Sequence, residues 1–132
     1  AGHEIGNHTY SHAKLTTLSA IKVKLQIDST DAAIKAAIGQ NATLFRPPYG
    51  AYNKTVTNQL KVPNVLWTID TLDWKHHNPK KTVASVKKNA KNGSIVLLHD
   101  IHQTTADALE PILVLLQEQG YEFVTVSEIL KK

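Results

Sequence analysis

The sequence contains no cysteine. Disulfides, thiolate metal sites and cysteine nucleophiles are therefore excluded. It has no methionine, and Arg46 is the only arginine among the 15 Lys and Arg residues. Aromatic residues are sparse, at 6%. None is interleaved with the lysines, which argues against a nucleic-acid surface built on base stacking. No apolar run approaches the roughly 20 residues needed to cross a membrane. The longest candidate, Ile112 to Leu116, reads as a buried helix face. The chain opens Ala1-Gly2-His3-Glu4, with neither the basic nor the apolar segment of a secretion signal. The expectation is a processed or excised piece of a longer protein.

What is present suits one globular domain. The 132 residues are enough for a single core, and a hydrophobic fraction of 42% can fill it. The net charge of +4 reads as a lysine-rich solubilising surface. Its functional alternative is attraction to an anionic partner such as a wall polymer. Helical spacing from Leu18 to Ile38, carried by Leu18, Ile21, Leu25, Ile34 and Ile38, stops at Gly39. Leu44-Phe45-Arg46 is a short strand, Asn53 caps a short helix to Leu60, and Val65 to Asp70 is a buried strand. Asn78-Pro79 starts a helix with Val83, Val86 and Ala90 inward, ending at Gly93. Ser94 to His99 is a strand. A helix from about Thr105 to Gln119 buries Ala108, Leu109, Ile112, Leu115 and Leu116, with Pro111 in its first turn or two. Phe123 to Val126 is a strand, and Ser127 caps a last turn. Continuous apolar strands alternating with helices predict an α/β fold with a parallel sheet, either a barrel or an open doubly wound sheet. Functional residues then collect at the C-terminal ends of strands, where Asp70 and His99-Asp100 fall.

Four segments carry candidate chemistry. His8 and His12 are four residues apart, and on a helix or tight turn both imidazoles face one side and can share a metal ion. The spacing alone also suits ordinary surface histidines. Arg46-Pro47-Pro48-Tyr49-Gly50 fixes the backbone after a strand and aims Arg46 and Tyr49, or is simply a rigid turn. Asp70-Thr71-Leu72-Asp73-Trp74 sets two carboxylates and a large aromatic at a strand end, or is a helix cap with Trp74 in the core. Leu97-Leu98-His99-Asp100 places a histidine beside an acid, which suits general acid catalysis or a structural role.

In this order, the four segments resemble the motifs of the polysaccharide deacetylase family, the NodB-homology or carbohydrate esterase family four domain. H-S/T-x-x-H matches His8 to His12, R-x-P-Y matches Arg46 to Tyr49, and D-x-x-D-W matches Asp70 to Trp74. L-x-L-H-D is approached by Val96 to Asp100, with Val96 in place of the first leucine. Gly120 to Val126 is similar to the close of the domain. The peptidoglycan N-acetylglucosamine deacetylases are the branch it resembles most. A first motif, T-F-D-D-G, has no counterpart. The resemblance thus implies the C-terminal part of an irregular (β/α)7-type barrel with parallel strands. Residues 1–132 would form a single domain, N-terminally truncated or nicked.

The resemblance implies a hydrolase acting on the C–N bonds of linear amides. His8 and His12 would bind a divalent metal, most often Zn2+ with Co2+ as a substitute, and an aspartate of the upstream segment would complete the set. A second upstream aspartate would be the base. His99 would protonate the departing amine. Asp70 would hydrogen-bond His99, orient it and hold its pKa up. Arg46 would orient the base, the backbone N–H of Tyr49 would hold the oxyanion, and Trp74 and Leu97 would line the acetyl pocket. Asp73, Asp100, His76, His77 and His102 receive no firm role, with His76 and His77 expected in solvent and a place in the substrate groove as the alternative. The substrate would be an N-acetylated polysaccharide, peptidoglycan GlcNAc above all, at an extracellular or cell-surface location on a bacterial wall. Partners would be that glycan and the upstream segment, with no nucleic acid and no membrane span. Chitooligosaccharides and acetylxylan are alternative substrates. A non-catalytic carbohydrate-binding relic and a barrel hydrolase pairing Asp70 with Asp73 are the competing functions.

Overall fold

The computed structural model describes residues 1–131, which contain two compact units, Ala1–Leu66 and Trp67–Leu130. In the first, β1 (Gly6–Asn7) pairs in parallel with β2 (Leu44–Phe45), and α1 (Ala20–Ile38) makes the crossover. Ser19 accepts from the Lys22 N–H at the start of α1, and Gly39 takes φ 73° at its end, the left-handed conformation a helix stop requires. Asn53 caps α2 (Lys54–Thr57) by accepting from the Val56 N–H at 3.0 Å, and the helix ends short of the expected Leu60. Leu15, Val23, Ile27, Phe45 and Val56 form the core. Truncating Phe45, which is 1% exposed, to alanine would cost about 3–5 kcal/mol. The buried stripe of α1 differs from the expected one. Val23 and Ile27 are inside, whereas Ile21, Leu25 and Ile38 are exposed.

The second unit repeats the pattern. β3 (Ile69–Asp70) pairs in parallel with β4 (Val96–Leu97), putting Asp70 opposite Leu97. Between them run α3 (Asp73–His76) and α4 (Pro79–Asn89), and the latter is capped by Asn78 with Pro79 in its first turn. α5 (Gln103–Glu118) packs on α4 around Val86, Ala108, Ile112 and Leu116. The α/β class with parallel strands is as the sequence predicted.

Five local expectations are corrected. The Val65–Asp70 run is divided: Val65 donates to the Phe45 carbonyl at 2.7 Å, and only Ile69–Asp70 is paired as a strand with β4. α5 begins at Gln103, supported by a Gln103–Asp107 side-chain bond of 2.8 Å, so Pro111 sits in its third turn rather than its first or second. Leu109 is 45% exposed, on the outer face of α5. Phe123–Val126 is not a strand. Thr125 and Glu128 cap each other reciprocally, Thr125 Oγ1 accepting from the Glu128 N–H and Glu128 Oε1 from the Thr125 N–H and hydroxyl, and this starts α6 (Val126–Leu130). The cap is therefore Thr125, not Ser127. The end of α5 follows the sequence more closely: Tyr121 N–H reaches Leu116 O and Gly120 N–H reaches Gln117 O, both at 3.0 Å, as in a Schellman stop.

Candidate active site

In the first unit the H-x-x-x-H segment follows β1 as an irregular turn. Asn7 is buried and fastens the strand end to α1, donating to Ile27 O at 3.0 Å and to Asp31 Oδ1 at 2.8 Å. Its Oδ1 accepts from the Thr9 N–H, and Thr9 Oγ1 accepts from the His12 N–H. Gln26 of α1 clamps the middle of the turn. Its Oε1 accepts from the Tyr10 and Ser11 amides, each at 3.0 Å, and its Nε2 donates to Ser11 Oγ at 2.8 Å.

These bonds bring the exposed rings of His8 and His12 to a centroid separation of 5.1 Å, and His12 to 4.8 Å from the ring of Tyr49. His8 Nδ1 lies 2.6 Å from the Arg46 carbonyl. A carbonyl only accepts, so Nδ1 carries the hydrogen and Nε2 is the nitrogen suited to a metal. Among the described residues no group of three or more metal-ligating side chains is formed. The pair therefore fits two of the three protein ligands of a catalytic zinc, with the outer-shell carbonyl such ligands usually have. The Arg46 side chain donates to Leu66 O at 2.9 Å and to Val65 O at 3.3 Å, and its burial lowers its pKa from the ordinary value.

In the second unit the chemistry centres on His99, and here one assignment changes. Its partner is Asp73, not Asp70. His99 Nδ1 donates to Asp73 Oδ1 at 2.8 Å, and the His99 amide to Oδ2 at 2.6 Å. Trp74 N–H completes Oδ1 at 2.9 Å, and the Thr105 hydroxyl completes Oδ2 at 2.8 Å. Asp73 is 1% exposed. Burial acts to raise its pKa, but the hydrogen bonds from the His99 ring, the His99 amide and Thr105 outweigh it and hold the carboxyl below its ordinary value. An ionised carboxylate with only donors around it forces the hydrogen onto Nδ1 of His99. Nε2 is then the ring nitrogen that Asp73 leaves available for proton exchange.

Asp70 is used locally. Its Oδ1 accepts from the Leu72 N–H at 2.9 Å, an Asx turn that shapes the loop leading to Asp73. His76 supports the same loop, its Nε2 donating to Thr71 O at 3.0 Å and its Nδ1 accepting from the Asn78 N–H. It is half-buried, contrary to expectation, while His77 is exposed with its ring 4.6 Å from that of His102. Trp74 is half-exposed, and Leu97 is buried with its carbonyl accepting from Thr71 Oγ1.

The five non-glycine residues at positive φ among the described residues are Thr9, His12, Tyr49, Leu72 and His77. Four lie inside the sequence motifs, and the fifth follows the third of them. Each left-handed residue costs on the order of 1–2 kcal/mol, and such strain gathers at functional sites. Sequence reasoning missed Gln26, Thr105 and the role of Asp73. A signal existed for the last: an aspartate two residues before a turn is readily consumed by its own backbone, which leaves the second acid of D-x-x-D for tertiary use.

Residues 1–65 match the family model described as polysaccharide deacetylase. Over 128 residues, 97% of this chain, the sequence is 44% identical to the peptidoglycan-N-acetylglucosamine deacetylase PgdA of Listeria monocytogenes, of which it covers 28%. It is 43% identical over 128 residues to the peptidoglycan-N-acetylmuramic acid deacetylase PdaC of Bacillus subtilis, covering 27% of that protein. The solved PdaC structure matches with a TM-score of 0.95 at 42% identity, over 98% of this chain and 64% of that one. A family pseudoenzyme from Bacillus anthracis matches with a TM-score of 0.89 at 34% identity, over 96% of this chain and 46% of that one. The chain thus spans just over a quarter of the length of these two curated relatives.

Proposed function

We propose, from the premise that this chain belongs to the polysaccharide deacetylase family, that it supplies two metal ligands and the acid side of an enzyme that removes N-acetyl groups from peptidoglycan. His8 and His12 hold the divalent metal, for which zinc suits the imidazole donors. Bound by these imidazoles, zinc would supply Lewis-acid polarisation of an acetyl carbonyl and acidify a water. The third ligand and the base are the two aspartates of the family's first motif, contributed by a segment outside these 132 residues. As water adds to the acetyl carbon, that base takes its proton. His99 Nε2 gives a proton to the sugar nitrogen as the C–N bond breaks, releasing acetate and a free amine. Asp73 fixes the tautomer of His99. Arg46 lies in the segment the family uses to orient the base, and the Tyr49 amide in the position that holds the oxyanion. Trp74 and Leu97 flank the acetyl methyl.

The observation that carries this reading is His99 held through Nδ1 by a buried, ionised Asp73. That arrangement reserves Nε2 as the ring nitrogen through which a proton passes to the amine, a leaving group that is poor without one. GlcNAc is the favoured sugar, following the Listeria relative, and the cell surface is the favoured location. The test is acetate release from N-acetylated peptidoglycan by the full-length protein. Release that is abolished by a chelator and restored by zinc is expected. Absence of release from any N-acetylated glycan, with zinc supplied, would overturn it. The non-catalytic reading, for which the Bacillus anthracis pseudoenzyme is a precedent, would then stand.

A further inference from the structure

We propose that Thr105 is a positioning residue for the acid side of the site: its hydroxyl, from the first turn of α5, locks the Asp73 carboxylate in the orientation that aims the His99 ring through Nε2. This rests on the reading of His99 as the acid.

The geometry is specific. Among the described residues Asp73 accepts four hydrogen bonds, two at each oxygen, and Thr105 Oγ1 is the only side-chain donor besides the His99 ring. The other two donors are backbone amides, one of them the neighbouring Trp74. A carboxyl group turns about its last torsion in a broad, roughly two-fold well. The two amides and the imidazole come from residues 74 and 99 alone, one backbone amide on each oxygen. Thr105 fastens Oδ2 from a third element, α5. It is 4% exposed and Asp73 is 1% exposed, so water has little access to replace a lost hydroxyl. The hydroxyl also strengthens the case for an ionised carboxylate: it donates 2.8 Å from Oδ2, where the His99 amide already occupies the other acceptor site. The first turn of a helix further favours negative charge at that point.

Chemistry explains the choice of threonine. Valine would fill nearly the same volume and leave one acceptor lone pair of a buried carboxylate without a donor. Serine would keep the donor and lose only a methyl group.

The experiment uses the full-length protein and its Thr105→Val, Thr105→Ala and Thr105→Ser variants. Two quantities are read: the titration of the Asp73 carboxyl carbon by 13C NMR, and kcat and KM for acetate release. T105V should move the Asp73 titration upward by about one pH unit. It should lower kcat about tenfold, with KM within about twofold. T105S should bring both back toward the unmodified protein. If T105V does not fold, T105A carries the same expectation. An Asp73 titration that stays in place in T105V and T105A, or a T105S that behaves like T105V, overturns the proposal. If the titration moves as expected but not even the unmodified protein releases acetate, the positioning role holds and the deacetylase reading is what fails.

Discussion

Replacing Asp73 with asparagine, beside the same change at Asp70, separates the two carboxylates of the D-x-x-D-W segment. At position 73 the carboxylate meets four donors, two on each oxygen. Asparagine keeps one oxygen. Its amide nitrogen must face a pair of donors, either His99 Nδ1 and Trp74 N–H or the His99 amide and Thr105. One backbone amide then meets a donor, and the His99 ring or the Thr105 hydroxyl must turn from donor to acceptor, in a place that is 1% exposed. A hydrogen bond to a charged acceptor contributes about 1.5–3 kcal/mol, and breaking a buried charged pair costs about 3–5 kcal/mol. D73N should therefore lose about 3–5 kcal/mol of unfolding free energy. If the amide nitrogen faces His99, the ring must either give up its Nδ1 hydrogen or turn away. Protonation at Nε2 alongside Nδ1 is then opposed, and kcat should fall by about 10²–10⁴. At position 70 the change is mild, because asparagine makes the same Asx turn to the Leu72 amide. D70N should stay within about 0.5 kcal/mol, with kcat within a few-fold. Urea unfolding and acetate release measure both. Equal losses in D70N and D73N would refute the reasoning and return His99 to Asp70.

Other expectations follow from the same contacts. His8→Ala and His12→Ala should lose bound metal by elemental analysis of the full-length protein, while His99→Ala keeps it and loses turnover; stoichiometric zinc in H8A would sink the ligand assignment. The depressed Asp73 pKa gives an acid-side dependence. Its stabilising effect is complete above the unfolded-state value of about 3.9 and disappears as pH falls through the lower folded value. Urea midpoints measured downward from pH 6 should therefore drop at acid pH more steeply in the unmodified protein than in D73N, and parallel curves would refute this. Gln26→Leu removes three bonds to the Tyr10–Ser11 turn. It should weaken zinc binding about tenfold by competition with a chromogenic chelator while leaving helix content by circular dichroism unchanged; unaltered affinity would show that Asn7 and Thr9 suffice.

Punctuation and periodicity were legible in the sequence, and choices between equivalent faces were not. Asn53, Asn78, Gly39 and Gly120 act where their own side chain or backbone freedom dictates, so each appears in the structure where the sequence puts it. The buried face of α1 is different. Ile21 and Leu25 are spaced four apart, and so are Val23 and Ile27, offset by two residues. A 3.6-residue period accepts either stripe. The choice falls to tertiary contacts: Asn7 binds the Ile27 carbonyl, and Val23 and Ile27 share a core with Phe45. The site divides in the same way. His8, His12 and His99 are recognisable because imidazoles at strand ends are chemically conspicuous. Asp73 and Thr105 lie 26 and six residues from His99 in sequence, and neither spacing belongs to any local period that would pair them with it. Only the parallel register of β3 with β4, Asp70 opposite Leu97, brings Asp73 to the residue two beyond Leu97. Register is a property of the paired strands, so a residue whose function is conferred by register must be found in the fold.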